Sequence, residues 1–186
     1  MDNYDLCFKS ATDIASMISS KKVSAKEVTK AVLERIELVE PKINSYITVC
    51  DDVALAEAEA ADQMLARGRK LGPLHGVPIG VKDLLNTKGV KTTFASHVFA
   101  DNVPDTDCVS IARLRKAGAI LVGKTTTPEF GHKPMTEATL FGETRNPWNL
   151  NRTSGGSSGG AGAAAAAGLA PLHVGTDAGG SIRIPA

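Results

Sequence analysis

Aromatic residues are scarce in this chain of 186 residues: at 4%, with one Trp and two Tyr, they supply no stacking platform for bases or sugar rings. Cysteine is scarcer. Cys7, Cys50 and Cys108 stand far apart along the chain, which builds neither a zinc clip nor a disulfide framework and suits a reducing cytosol. Charge of one sign is also missing, Lys+Arg 21 against Asp+Glu 20, so no nucleic-acid surface is expected. No stretch approaches the ~18 apolar residues of a membrane span. The opening MDNYDLCFKS has neither the positive nor the apolar region of a signal peptide. His75, His97, His132 and His173 fall in no paired spacing and read as structural residues. The expectation is a cytoplasmic protein with no metal, no cofactor, and no nucleic-acid or membrane partner.

What the chain does have is a 42% hydrophobic content, enough for a core, and 18 glycines gathered late. The stretch 1–70 reads as a helical segment. Ser24 and Glu27 form a capping box, and Val28, Val32, Ile36 and Val39 recur at helical spacing until Pro41 stops the run. Asp51 to Arg69 is a second helical pattern. This segment carries no concentrated reactive side chains, so it is expected to pack on a core and leaves a homodimer open. From residue 71 the texture alternates. Val77 to Lys82 reads as a strand, Asp105 to Gly118 as an amphipathic helix, and Ala119 to Gly123 and Leu172 to Thr176 as buried strands. That order predicts an α/β fold, a largely buried sheet with helices on its faces.

Two motifs spelled in the sequence fail on context. Gly118 to Thr125 fits G-x-x-x-x-G-K-[ST], but its four middle residues are the strand itself rather than a loop after one. Gly155 to Gly159 fits G-x-S-x-G, yet a polar, turn-like run (149–154) precedes it instead of a strand, and the only later histidine, His173, comes before Asp177. Residues 155–168 contain only Gly, Ser and Ala. The helix-favouring run Ala163 to Ala167 makes them an ordered loop opening into a helix rather than a linker.

What remains is a constellation without histidine: Lys82 at a strand end, Ser157 and Ser158 in one Gly-rich loop, and Ser181 closing another, Gly175 to Ser181. Consecutive backbone N–H groups before a serine suit an acyl-transfer nucleophile with its own oxyanion hole. On its own, the same loop also reads as a tight glycine turn with an exposed serine.

The segments GVPIGVKD around Lys82, TRNPWN, GGSSGG at 155–160 and GTDAGGSIRIPA at the end resemble the amidase signature family of amide hydrolases, in family order from about Leu71 to Ala186. The intervals from Lys82 to Ser157 and from Ser157 to Ser181 also agree with the family. The resemblance implies that Ser181 is the nucleophile, that Ser157 bridges after a cis Gly156–Ser157 bond, and that Lys82 is the base. It further implies a mixed, largely buried sheet with helices on both faces, and an oxyanion hole at Ala178, Gly179 and Gly180, with Ser158 and Thr176 as supporting hydroxyls. Gly131, with His132, Met135 and neighbours between Glu129 and Glu137, would line part of the substrate pocket. Asp177 and Arg183 read as a pair bracing the loop.

A lysine serves as base only when neutral, which burial promotes. Strand alternation turns Lys82 away from Asp83. The expected function is hydrolysis of a small-molecule carboxylic amide through a serine acyl-enzyme. Amidotransferase members of the family tend to have Gln where Ile184 stands, which favours a free-standing amidase. The alternatives are a glutamine-hydrolysing amidotransferase subunit or a catalytically silent binding piece. Family members are longer, so this chain is expected to be the first part of a larger enzyme, truncated after the nucleophile.

Overall fold

In the computed structural model, residues 3–69 and 71–186 are described; the expected boundary at residue 70 falls outside them. Four helices and a strand come first: α1 (Asn3–Cys7), α2 (Ala11–Ser19), α3 (Ala25–Ile43), β1 (Tyr46–Val49) and α4 (Asp51–Ala66). The capping box at Ser24 and Glu27 is formed, and Asp62 of α4 accepts from the N–H groups of Ala25 and Lys26, so the open end of α3 is held by its neighbour. Contrary to expectation, α3 runs past Pro41. The proline sits in the last turn, and the helix ends at Asn44, whose backbone is left-handed (φ 51°). Glu40 then accepts from Tyr46 N and Ser45 Oγ, turning the chain directly into β1.

The second half supplies β2 (Pro78–Lys82), α5 (Val109–Lys116), β3 (Ile120–Thr125), the short strands β4 (Glu137–Ala138), β5 (Gly142–Glu143), β6 (Arg145–Asn146) and β7 (Asn149–Thr153), then α6 (Gly159–Ala166) and β8 (Leu172–Val174). The main sheet has the order β1-β3-β2-β8, with β1 antiparallel to β3 and the β3–β2 and β2–β8 pairs parallel. The N-terminal segment is therefore not purely helical, because β1 is an edge strand of the sheet. β7 also departs from the expected turn. It pairs with β6 as an exposed two-stranded ribbon, outside the main sheet.

Every residue of β2 and β3 is buried, as a sheet covered on both faces requires. On one face Ile120 and Val122 meet Ile14, Ile18, Val28, Val32 and Ile36 of α2 and α3 and the alanines of α4 and α6. On the other, Ile79, Val81 and Leu121 meet Ile111 of α5. Each large aliphatic side chain in these layers contributes roughly 1.5–3 kcal/mol by leaving water. The alternation of β2 then sends Lys82 to the α6 side while Val81 points to α5. Gly160 lets the start of α6 press against the backbone of Thr126, just after β3, where any Cβ would collide. No helix among the described residues is long and apolar enough to cross a membrane.

Candidate active site

In an open α/β sheet, ligands gather beyond the carboxyl ends of the parallel strands. Lys82 is the last residue of β2, and Thr176 lies just past the end of β8. Between them the Gly156–Ser157 peptide bond, cis in this structure, delivers Ser157 and Ser158 at the start of α6. The Lys82 side chain is fully buried, and its Nζ has three hydroxyl neighbours: Ser157 Oγ at 2.7 Å, Ser158 Oγ at 2.8 Å and Thr176 Oγ1 at 3.0 Å.

The hydrogens of this cluster can be assigned. Ser158 Oγ donates its only hydrogen to the Thr176 carbonyl (3.0 Å) and accepts from Thr176 N (3.2 Å), so toward Lys82 it can only accept. When Lys82 is neutral, its two N–H bonds go to Ser158 and Thr176, and its lone pair is left for the Ser157 hydroxyl. Burial pushes the Lys82 ammonium down to about 8, against the smaller opposing pull of the Asp177 carboxylate.

Ser181 is tied to this cluster through its backbone, since Ser158 N donates to Ser181 O at 3.0 Å. Its loop is folded around one carboxylate. Asp177 accepts from Gly180 N (2.8 Å), Ile182 N (2.9 Å) and Arg183 N (3.2 Å), and the Arg183 guanidinium grips both of its oxygens. Those bonds, the Arg183 side chain foremost, hold the Asp177 carboxyl well below the usual range. The N–H of Gly180 is thus spent inside the loop. The N–H groups of Ala178, Gly179 and Ser181 have no acceptor among the described residues.

Gly131 is also brought in. At φ +69° it lies beside Leu84, and a Cβ there would stand 3.4 Å from Ser157 Oγ. Met135 backs the loop from behind, its backbone pressed on Gly156, and Thr136 Oγ1 accepts from Gly159 N. His132 instead turns to the carbonyl of its own turn, Glu129 O, at 2.6 Å. The other histidines lie elsewhere: His75 is buried against Ala61 O, His97 is exposed on a short turn, and His173 meets Tyr46 Oη at 3.0 Å. Among the described residues no cluster of three His, Cys, Asp or Glu side chains could hold a metal ion. Sequence reasoning gave no role to Lys124, which the structure buries completely beside Asp83. The available signal was a lysine carried on directly from an apolar run, Ile120 to Val122, within a wholly buried strand.

The Amidase family model matches residues 27–186. The chain is 47% identical over 182 residues, 98% of its length, to the A subunit of glutamyl-tRNA(Gln) amidotransferase from Acidothermus cellulolyticus, and spans 36% of that protein. Among solved structures it is similar to fatty acid amide hydrolase (TM-score 0.94, 34% identity, 98% of this chain and 32% of the other). It is also similar to a bacterial aryl acylamidase (TM-score 0.92, 35% identity, 96% and 37%). The chain thus spans little more than a third of the curated relatives it matches. On its sequence, its sheet and the residues gathered at the sheet's carboxyl edge, this chain belongs to the amidase signature family.

Proposed function

We propose that the protein hydrolyses a carboxylic amide through an acyl-enzyme on Ser181. The observation that carries this is a buried lysine whose three neighbours are all hydroxyls, one of them Ser157 at 2.7 Å. Neutral Lys82 takes the Ser157 proton as Ser157 takes that of Ser181, and Ser181 Oγ attacks the amide carbon. The free N–H groups of Ala178 and Gly179 receive the developing oxyanion, while Gly180 and Asp177 hold the loop in shape. The proton on Lys82 returns through Ser157 to the leaving nitrogen, and ammonia or an amine departs. Water then enters by the same relay and releases the acid. Gly131 forms the low wall beside Ser157 where the substrate lies.

The likeness to the amidotransferase A subunit named above makes glutamine the first amide to test, ahead of the free-standing amidase expected from Ile184. A second reading keeps the free-standing amidase, because the Ile184 side chain packs beside Gly155 and Gly180 and offers the substrate no hydrogen bond. The test is fluorophosphonate labelling and turnover of glutamine and of simple aliphatic and aryl amides by the intact enzyme. Ser181→Ala should abolish both turnover and labelling, and Ser157→Ala should cripple turnover while leaving slow labelling. Labelling that survives Ser181→Ala and vanishes in Ser157→Ala would overturn the assignment.

A further inference from the structure

Lys124, on β3, has a job in this fold that the proton relay does not use. Its Nζ donates to Leu85 O (2.6 Å), Thr92 Oγ1 (2.8 Å) and Thr87 Oγ1 (2.9 Å), and lies 3.8 Å from Asp83 Oδ1. That carboxylate oxygen is buried and makes no hydrogen bond among the described residues. The other, Oδ2, accepts from Thr93 N (3.0 Å) and Thr93 Oγ1 (2.5 Å), and Asp83 O accepts from Phe94 N (3.1 Å). The segment from Asp83 to Phe94, which starts directly after Lys82, is therefore a ring closed on itself with an ammonium group inside. An ammonium has three hydrogens and here meets three acceptors; a neutral amine has two.

The ring touches the site at two points. Leu84 packs on Gly131, beside Ser157, and Phe94 O accepts from Phe130 N at 2.9 Å. We propose that Lys124 is a positioning residue: as an ammonium paired with Asp83 it fixes the 83–94 ring, and through Leu84 and Phe94 it holds the 129–131 turn so that Ser157 stays in reach of Lys82. The proposal rests on the catalytic reading given above.

Two buried lysines then have opposite requirements, since Lys82 works neutral and Lys124 works charged. Burial pushes Lys124 down to about 8, while the Asp83 carboxylate, then Cys50, Cys108 and Asp107, act in the other direction. Once Lys124 loses its proton, one acceptor of the ring is left without a donor and Asp83 loses its counter-charge in a dry interior. Activity should therefore fall on the alkaline side through an ionisation that belongs to Lys124.

The test is kcat and KM of the intact enzyme on its best amide from about pH 6 to about pH 10, for wild type, Lys124→Met and Asp83→Asn, with thermal melts as a folding control. Wild type should give a bell. In Lys124→Met, kcat should drop about tenfold with little change in KM, and the alkaline limb should vanish. In Asp83→Asn the alkaline limb should move to lower pH, because the carboxylate that retains the proton is gone. A purely structural role would lower the melting temperature and leave the shape of the profile alone. A wild-type rate flat to the alkaline end, or an alkaline limb unchanged in Lys124→Met, overturns the proposal. If that variant does not fold, an unmoved limb in Asp83→Asn does so. Absence of Ser181-dependent turnover in wild type would instead defeat the catalytic reading, and this proposal with it.

Discussion

Ser158 Oγ stands 2.8 Å from Lys82 Nζ with its hydrogen already committed to the carbonyl of Thr176, so it meets the lysine only as an acceptor. This fixes the polarity of the whole cluster. Two N–H bonds of Lys82 are claimed by Ser158 and Thr176, and the remaining direction is the one toward Ser157. The lysine is aimed by the hydroxyls of Ser158 and Thr176, which the proposed relay does not use.

The first prediction concerns the ionisation of Lys82. With the ammonium pushed down to about 8 by burial, the neutral base gains population as pH rises toward that value, and kcat/KM should climb with it until loss of the Lys124 proton, also pushed down to about 8, turns the profile over. Lys82→Ala should remove the ascending limb and most of the rate. A mutant profile that still rises in the same place would assign the base to another group.

Ser158→Ala tests the aiming hydroxyl. It removes one acceptor from Lys82 and the tie to both the N–H and the carbonyl of Thr176. The lost acceptor favoured the charged lysine, so the ascending limb should move to lower pH. Misplacement of Nζ should cost kcat about tenfold to a hundredfold, with KM much less affected. An unchanged kcat would mean that Thr176 alone positions the lysine.

The parts of this site that could be read in the sequence are those whose local chemistry is unusual: a Gly/Ser/Ala run that cannot be a linker because Ala163 to Ala167 favours helix, and two serine loops flanking an apolar strand. The ends of elements were less legible. Pro41 spells a helix stop, but in the last turn its missing N–H costs α3 one hydrogen bond, which Asn44 and Glu40 offset through the cap and the link to Tyr46. β1 is only four residues long and owes its strand state to pairing with β3, a contact far away in sequence. The Lys124–Asp83 pair was hidden for the same reason. A lysine in GKT spells a phosphate loop, and only the fold shows three oxygens of the 85–92 loop already around its nitrogen.

A third prediction is one of stability. Gly131 has φ +69°, and a Cβ there would press on the Leu84 side chain. Gly131→Ala should therefore cost about 1–2 kcal/mol for the left-handed backbone alone, read as a lower denaturant midpoint with an unchanged slope. Turnover should fall further than stability, since Ser157 is the next neighbour. A mutant of wild-type midpoint would show that the turn relaxes at no cost.

The last prediction separates the two functions of Asp177. Its carboxylate accepts the backbone N–H groups of Gly180, Ile182 and Arg183 and both arms of the Arg183 guanidinium, and it is the charge that opposes the lowering of Lys82. In Asp177→Ala the N–H of Gly180 is released and the loop loses its centre, so the Ala178 and Gly179 donors no longer hold one orientation. Loss of that preorganisation should reduce kcat about a hundredfold to a thousandfold. The ascending limb should also move to lower pH, because a group that raised the Lys82 ionisation has gone. Arg183→Met acts in the opposite sense on the second function alone. The backbone bonds to Asp177 remain, the carboxylate loses its partner, and the limb should move slightly upward, since solvent screens a guanidinium whose side chain is 75% exposed. The pH profiles of the two variants on one amide substrate are the measurement. Limbs that shift in the same direction would mean that Asp177 acts on Lys82 through the shape of the loop and not through its charge.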